Sequence, residues 1–232
     1  MIQEFWLRIS TNWNRTDTLV VVLNNATLAV FIGNCAWQSV EVTYLTLLVS
    51  IAVEVAWAAR AWLRGVPHPG PLAKALTFGF IVGGLWPLGE GILVNTLGWW
   101  GQYLAPGPNV WETRVYCMLV GWAASTYCAY VAHRTLDVGY GTAVAAVVMG
   151  LTAFIAGAIG ENLFAIAGMW EYAPSNLDLF FVPAFVPVGY AIAYASYPLF
   201  RRFHVVIATL CFCVCAFVAL TGLGVATGFF PH

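Results

Sequence analysis

Of the chain's 232 residues, 61% are hydrophobic and 8% charged, and the formal net charge is −1. A soluble domain carries about 25% charged residues, so this composition excludes a water-solvated globular surface, and the near-neutral balance excludes nucleic acid as a partner. A membrane-crossing helix needs about 20 apolar residues, so the length accommodates about seven spans with short connections.

The first 18 residues, MIQEFWLRISTNWNRTDT, are polar and aromatic. They lack the apolar core of a cleavable signal and read as an interfacial lead-in. Apolar runs then predict spans at 19–36, 43–63, 75–97, 115–132, 142–164, 180–200 and 205–229. The runs are continuous and lack the alternation of a barrel strand, and only helices or closed barrels satisfy the backbone in lipid. The expected fold is therefore all-α: one polytopic bundle of seven transmembrane helices spanning residues 1–232 as a single domain. Pro87 with Gly83, Gly84, Gly89 and Gly91 is expected to break up span three, and Pro183 with Pro187 span six. Such interruptions surround cavities in membrane proteins, although close packing through glycine explains them equally well.

Basic residues give the orientation. With seven spans, Arg8, Arg15, Arg60, Arg64, Lys74, Arg134, Arg201 and Arg202 fall at the end of the bundle that holds the N-terminus, and only Arg114 falls at the other. The positive-inside bias then predicts a cytoplasmic N-terminus and a C-terminus on the opposite side.

The sequence also repeats itself. Span three ends in Gly89-Glu90 and leads to Gly98-Trp99-Trp100, Tyr103 and Ala105-Pro106. Span five ends in Gly160-Glu161 and leads to Gly168-Met169-Trp170, Tyr172 and Ala173-Pro174. Span one holds a fainter echo in Gly33-Asn34 and Trp37. The chain thus reads as tandem helical hairpins of like orientation plus a final helix. Parallel repeats of this kind place a shared site between them.

Three carboxylates, Glu54, Glu90 and Glu161, lie inside predicted spans, and the membrane interior offers no Lys or Arg to pair with them, Arg60 falling at the end of span two. A charge at the bilayer centre costs about 2.5–3.5 kcal/mol on insertion scales. These acids must therefore be hydrogen-bonded, hydrated or protonated, and three together favour a common cavity in the half of the membrane away from the cytoplasm. Asn95, Asn162 and the loop residue Asp178 lie in the same half. Trp57 follows Glu54 by three residues and Trp86 precedes Glu90 by four, so each indole shares a helix face with its acid. With Trp99, Trp170 and Tyr172 of the outer loops they supply aromatic walls, whose ring faces stabilise cations. Interfacial aromatic belts are the ordinary explanation for the loop rings.

Other chemistries lack their residues. No acidic pair stands ready for magnesium and diphosphate, and the four histidines form neither a di-iron box nor a haem pair. Cys211, Cys213 and Cys215 read as small apolar helix residues. No metal site and no cofactor is expected.

Glu161 through Tyr172, followed by Leu179-Phe180-Phe181-Val182-Pro183, resembles the E…G-x-W-x-Y…P pattern of integral-membrane carotenoid-modifying proteins of the lycopene-cyclase and carotenoid-hydratase type. Ile51-Ala52-Val53-Glu54 is similar to a segment of the seven-span meroterpenoid and indole-diterpene cyclases. These resemblances imply a membrane enzyme in which an intramembrane Glu protonates an alkene or epoxide. Glu54 matches that first acid. The second acid of a late helix has no counterpart in spans six and seven, leaving Glu161 or Asp178 to substitute. The expected function is a metal-independent terpene cyclase acting on a hydrophobic isoprenoid that enters from membrane lipid. Glu54, Glu90 or Glu161 is the proton donor, and Trp57, Trp86 and Trp99 line the cavity. A non-catalytic isoprenoid carrier and a proton-coupled transporter are the two rivals.

Overall fold

A computed structural model describes residues 7–8, 10–64, 70–97, 101–173, 175 and 177–228. Six of its helices are long and apolar enough to cross a membrane: α1 (Arg15–Trp37), α2 (Val40–Leu63), α3 (Pro71–Leu97), α4 (Val115–Asp137), α5 (Thr142–Ile166) and α7 (Val205–Ala226). The protein is a multi-pass, all-α membrane bundle. The seventh helix is shorter than the expected span 180–200. It begins at α6 (Phe185–Ser196) and finishes in a 3-10 turn, Tyr197–Phe200. Residues assigned to its start instead form a hairpin, and Pro183 belongs to that hairpin. Pro187 lies in the first turn of α6, where a missing N–H breaks no helical bond. The final helix stops at Ala226, short of the expected 229, which lies outside the described residues.

Local chemistry sets the boundaries. Asn14 caps α1 by accepting from the Thr16 and Asp17 N–H groups, while the Asp17 carboxylate takes the Asn14 N–H. Gln38 ends α1 in the left-handed region at φ 51°, and the Ser39 hydroxyl caps α2. A two-residue turn therefore suffices between the first two helices. Span three is not broken. α3 runs unbroken through Pro87, and two of its glycines serve close packing. A Cβ added at Gly79 would come within 2.6 Å of the Trp122 carbonyl oxygen, and one at Gly83 within 2.6 Å of the Met118 carbonyl oxygen. Backbone meets backbone along α3 and α4, as small residues permit in membranes.

The repeat is visible in the folded chain. α3 and α4 form one hairpin, and α5 and α6 the next. Between α3 and α4 run β1 (Gln102–Tyr103), β2 (Asn109–Val110) and β3 (Thr113–Arg114); between α5 and α6 run β4 (Trp170–Glu171), β5 (Asp178–Leu179) and β6 (Val182–Pro183). β2 pairs with β3, and β5 with β6, as two-residue hairpins whose first turn residues, Trp111 and Phe180, both have positive φ. β1 pairs antiparallel with β4 and sets Gln102 opposite Glu171. Each stands one residue before the tyrosine of its repeat, so the two repeats meet through equivalent positions at this pair. α7 packs on α3 and α6, while α1 and α2 pack on α5 and α4. One core gathers Phe78, Tyr130, Met149, Tyr194, Tyr197 and Phe212; a second, beside the β1–β4 pair, gathers Ala105, Tyr116, Phe164, Met169 and Trp170.

Candidate functional site

Two of the three intramembrane acids meet. Glu90 near the outer end of α3 and Glu161 near the outer end of α5 line one cavity of about 70 Å³ between α3, α4, α5 and α6. Its remaining wall is mostly small or aromatic: Gly121, Ala124 and Cys128 of α4, Ala156 and Gly160 of α5, Trp86, Trp170, Tyr190 and Tyr194.

Each carboxylate is held by neutral donors from its own repeat. Glu90, itself buried, accepts at one oxygen from Trp86 Nε1 (2.5 Å) and at the other from Tyr103 Oη (2.6 Å) and Thr113 Oγ1 (2.5 Å). Glu161 accepts at one oxygen from Tyr172 Oη (2.8 Å) and at the other from Tyr190 Oη (2.8 Å). Tyr103 and Tyr172 are the repeat-equivalent tyrosines of the outer loops. Burial pushes both phenols far above their ordinary ionisation range, and each neighbouring carboxylate adds to the effect, so both stay neutral donors.

The second donor of each pair comes from opposite members of the hairpins. In the first, Trp86 of α3 lies over Gly121 of α4; in the second, Tyr190 of α6 lies over Gly157 of α5. A large ring faces a glycine in both, with the order of large and small exchanged. The two rings then touch, with centroids 6.3 Å apart, and close the cavity between the acids.

Trp170 was expected in the outer aromatic wall and lies deeper. It is buried, packs on Phe164 with centroids at 4.8 Å and lies parallel to Tyr116 at 6.3 Å. Its indole N–H has no hydrogen-bond partner although it lines the cavity.

The other expected site residues are elsewhere. Glu54 is buried on α2 with Asn24 of α1 as its polar neighbour, and it does not line the cavity. Trp57 donates to Thr16 Oγ1 at 3.0 Å and carries Arg60 over its ring at 5.8 Å, so it fastens the start of α1 to the end of α2. Asn95 is exposed on α3. Asn162 is structural: its amide donates to the Ala158 carbonyl at 2.7 Å and its oxygen accepts the Phe181 N–H at 2.9 Å, pinning the β5–β6 turn onto α5. Asp178 is exposed and takes the Ser175 hydroxyl within the same loop. Trp99 lies outside the described residues. The i, i+3 spacing of Glu54 and Trp57 did place them on adjacent faces, but it could not say which neighbour those faces meet.

The sequence reading missed Tyr190, Thr113, Cys117 and the small residues of α4 and α5. The signal for Tyr190 was present, since it follows Pro187 on a face of the short helix that presents Tyr194 and Tyr197 at helical spacing. Thr113 carried no such signal, because a hairpin of β2 and β3 brings it back over Glu90.

No protein-family model matches the chain, and comparison with curated proteins and with solved structures finds no match.

Proposed function

We propose that the chain is a membrane-bound isoprenoid cyclase that works by proton transfer, with Glu90 and Glu161 as its acid–base pair. The observation that carries this reading is the convergence of the two glutamates on one apolar, aromatic-walled cavity, each held by neutral donors. Two negative charges facing each other there would repel with little screening, so the pair holds one proton between them. Glu90, with three donors including an indole N–H that can only donate, is built to accept. Glu161, with two donors and accessible surface toward the cavity, is the donor.

In the first step the Glu161 carboxylic acid gives its proton to a terminal alkene carbon or to an epoxide oxygen. The alkene π pair, or the breaking C–O bond, leaves a carbocation that internal double bonds attack in turn. Trp86, Trp170 and Tyr190 face that cation with their rings. In the last step Glu90 takes a proton from carbon beside the final cation and a new double bond forms. One proton enters the substrate and one leaves, so the reaction is an isomerisation, and the proton passes from Glu90 to Glu161 through the cavity to reset the site. Substrate and product are lipophilic and exchange with the bilayer. The positive-inside bias supports an orientation with the N-terminus cytoplasmic, which puts the acid pair in the half of the membrane away from the cytoplasm.

Conversion of prenyl and epoxyprenyl substrates by membranes carrying wild type, Glu161→Gln and Glu90→Gln tests the reading. Either variant loses most turnover while the protein still folds and inserts. Full activity in both rejects acid–base catalysis by this pair and leaves an isoprenoid carrier.

A further inference from the structure

The cavity is sealed on one side and loosely covered on the other. On the α3–α6 side, Phe78, Tyr194, Tyr197 and Phe212 pack ring against ring, with centroids 4.3–6.4 Å apart. On the α4–α5 side the wall is Gly121, Ala124, Ala156 and Gly160. A Cβ added at Gly160 would meet nothing within 4 Å, and Ala124, Ala156 and Gly160 keep accessible surface.

α1 lies across this seam and is fastened at both ends. At the cytoplasmic end, Asp17 takes the Arg134 guanidinium of α4 at 2.6 and 2.8 Å and the Tyr130 hydroxyl at 2.6 Å. At the outer end, Phe31 packs on Phe164 of α5 at 4.9 Å and the Cys35 thiol donates to the Leu163 carbonyl at 3.5 Å. Between these fastenings no residue from 21 to 30 is buried and none lines the cavity, and the polar contact there, Asn24 with Glu54, ties α1 to α2 and not to α4 or α5. The outer end of the seam is further closed by the row Tyr44, Tyr116, Trp170 and Phe164. The weak point is therefore the middle of the seam, at mid-membrane depth.

We infer that the α4–α5 seam, beneath the middle of α1, is the portal through which a lipophilic ligand passes between the bilayer and the carboxylate cavity, with α1 as a strap that bows outward to admit it. Three observations carry this. The cavity volume of about 70 Å³ is well below the roughly 300–1,000 Å³ that encloses a drug-sized ligand, so the walls must part for anything larger than water. The small residues of the seam leave the least packing to break. The buried indole of Trp170 lines the cavity with an N–H that has no hydrogen-bond partner, a donor that an occupant could meet. The aromatic side would have to separate a cluster of interlocked rings to open.

The inference rests on the cavity being a lipophilic-ligand site, but access and acid chemistry fail separately. The probe is a farnesyl chain with a terminal alkyl diazirine, dissolved in the lipid of proteoliposomes holding the full chain. After illumination, adducts are mapped on the segments containing Glu90 and Glu161. In wild type these segments carry adducts. Gly160→Phe and Ala156→Leu fill the middle of the seam and lose most of them. Gly84→Phe, on the exposed side of α3 where a Cβ meets nothing, keeps them. Glu161→Gln also keeps adducts on the Glu90 segment even where turnover is lost. Thermal midpoints and elution profiles identify any misfolded variant, and the milder Ala156→Leu carries the test if Gly160→Phe fails to fold. Undiminished cavity adducts in a folded seam variant overturn the portal. Equal labelling by a charged, water-soluble diazirine overturns it too, since the cavity would then open to water.

Discussion

Glu90 and Glu161 differ in how their oxygens are occupied, and the proposed mechanism rests its division of tasks on that difference. A positioned general acid contributes about 10²–10⁴-fold in rate. Replacing Glu161 by Gln keeps shape and the two tyrosine contacts but removes the transferable proton, so turnover falls by about that factor with substrate binding retained. Glu90→Gln removes the acceptor of the closing step, and its measured signature is different: the product mixture shifts toward species that escape before the final proton is taken. Chromatography of products from the two variants separates the roles, and identical product profiles would refute the division. Tyr190→Phe removes one donor from Glu161 and keeps the ring against Trp86. A lost hydrogen bond between neutral groups is worth about 0.5–1.5 kcal/mol, so this variant is slowed less than Glu161→Gln.

At the scale of helices, the acid pair depends on contacts that look purely structural. A Cβ at Gly157 would stand 2.6 Å from Tyr190 Cδ2. Gly157→Ala therefore pushes the tyrosine ring away from α5 and lifts its hydroxyl from Glu161. Overpacking of this kind costs about 1–3 kcal/mol, and the variant is expected to reproduce the rate loss of Tyr190→Phe with no change to either carboxylate. If Gly157→Ala keeps full turnover, the ring has room to move and the close approach is not what positions it. The fastening of α1 is a second such contact. Arg134 serves Asp17 with two nitrogens and also donates to the Asn12 carbonyl at 2.8 Å. Removing one partner of a mostly buried ion pair costs about 3–5 kcal/mol. Arg134→Gln should lower the unfolding midpoint in detergent, and Asp17→Asn with Arg134→Gln together should recover part of it by removing the uncompensated charge.

Over the whole molecule, six helices are long enough to cross a membrane, and a seventh crossing by the shorter α6 would put the termini on opposite sides. Reporter fusions at His232 and at the N-terminus test this directly. A C-terminal reporter active in the cytoplasm would overturn the seven-span arrangement and, with it, the placement of the acid pair in the outer half. The folded chain gives the arrangement a physical basis. Arg8 lies over the Tyr140 ring at 5.4 Å, and Arg134 reaches Asp17, so cationic residues far apart in sequence gather at one end. The two hairpin repeats share this orientation, and their loops meet at the other end through Gln102 and Glu171.

What could be read without a structure follows from costs that are local to the chain. Low charge and long apolar runs dictate helices in lipid, because unsatisfied backbone has no partner there. The shared Gly-Glu and Tyr pattern of the two hairpins was equally legible, since equivalent chains fold equivalently, and Glu90 and Glu161 each duly receive a hydroxyl from the tyrosine of its own repeat. The energetic penalty on intramembrane acids identified Glu54, Glu90 and Glu161 as residues needing partners, but it could not supply the partners. Only tertiary structure decided that Glu54 meets Asn24 while the other two converge, because which faces of α2, α3 and α5 look inward depends on how helices pack, and nearly uniform hydrophobicity around each helix leaves no stripe to read. The same reason separates Trp86, whose indole reaches Glu90 on its own helix four residues away, from Trp57, whose indole reaches Thr16 on another. The start of α6 was misplaced because Phe180-Phe181-Val182 is apolar enough for a span. It became a hairpin because Asn162, nineteen residues earlier, accepts the Phe181 N–H, a contact that exists only once α5 and the loop have come together.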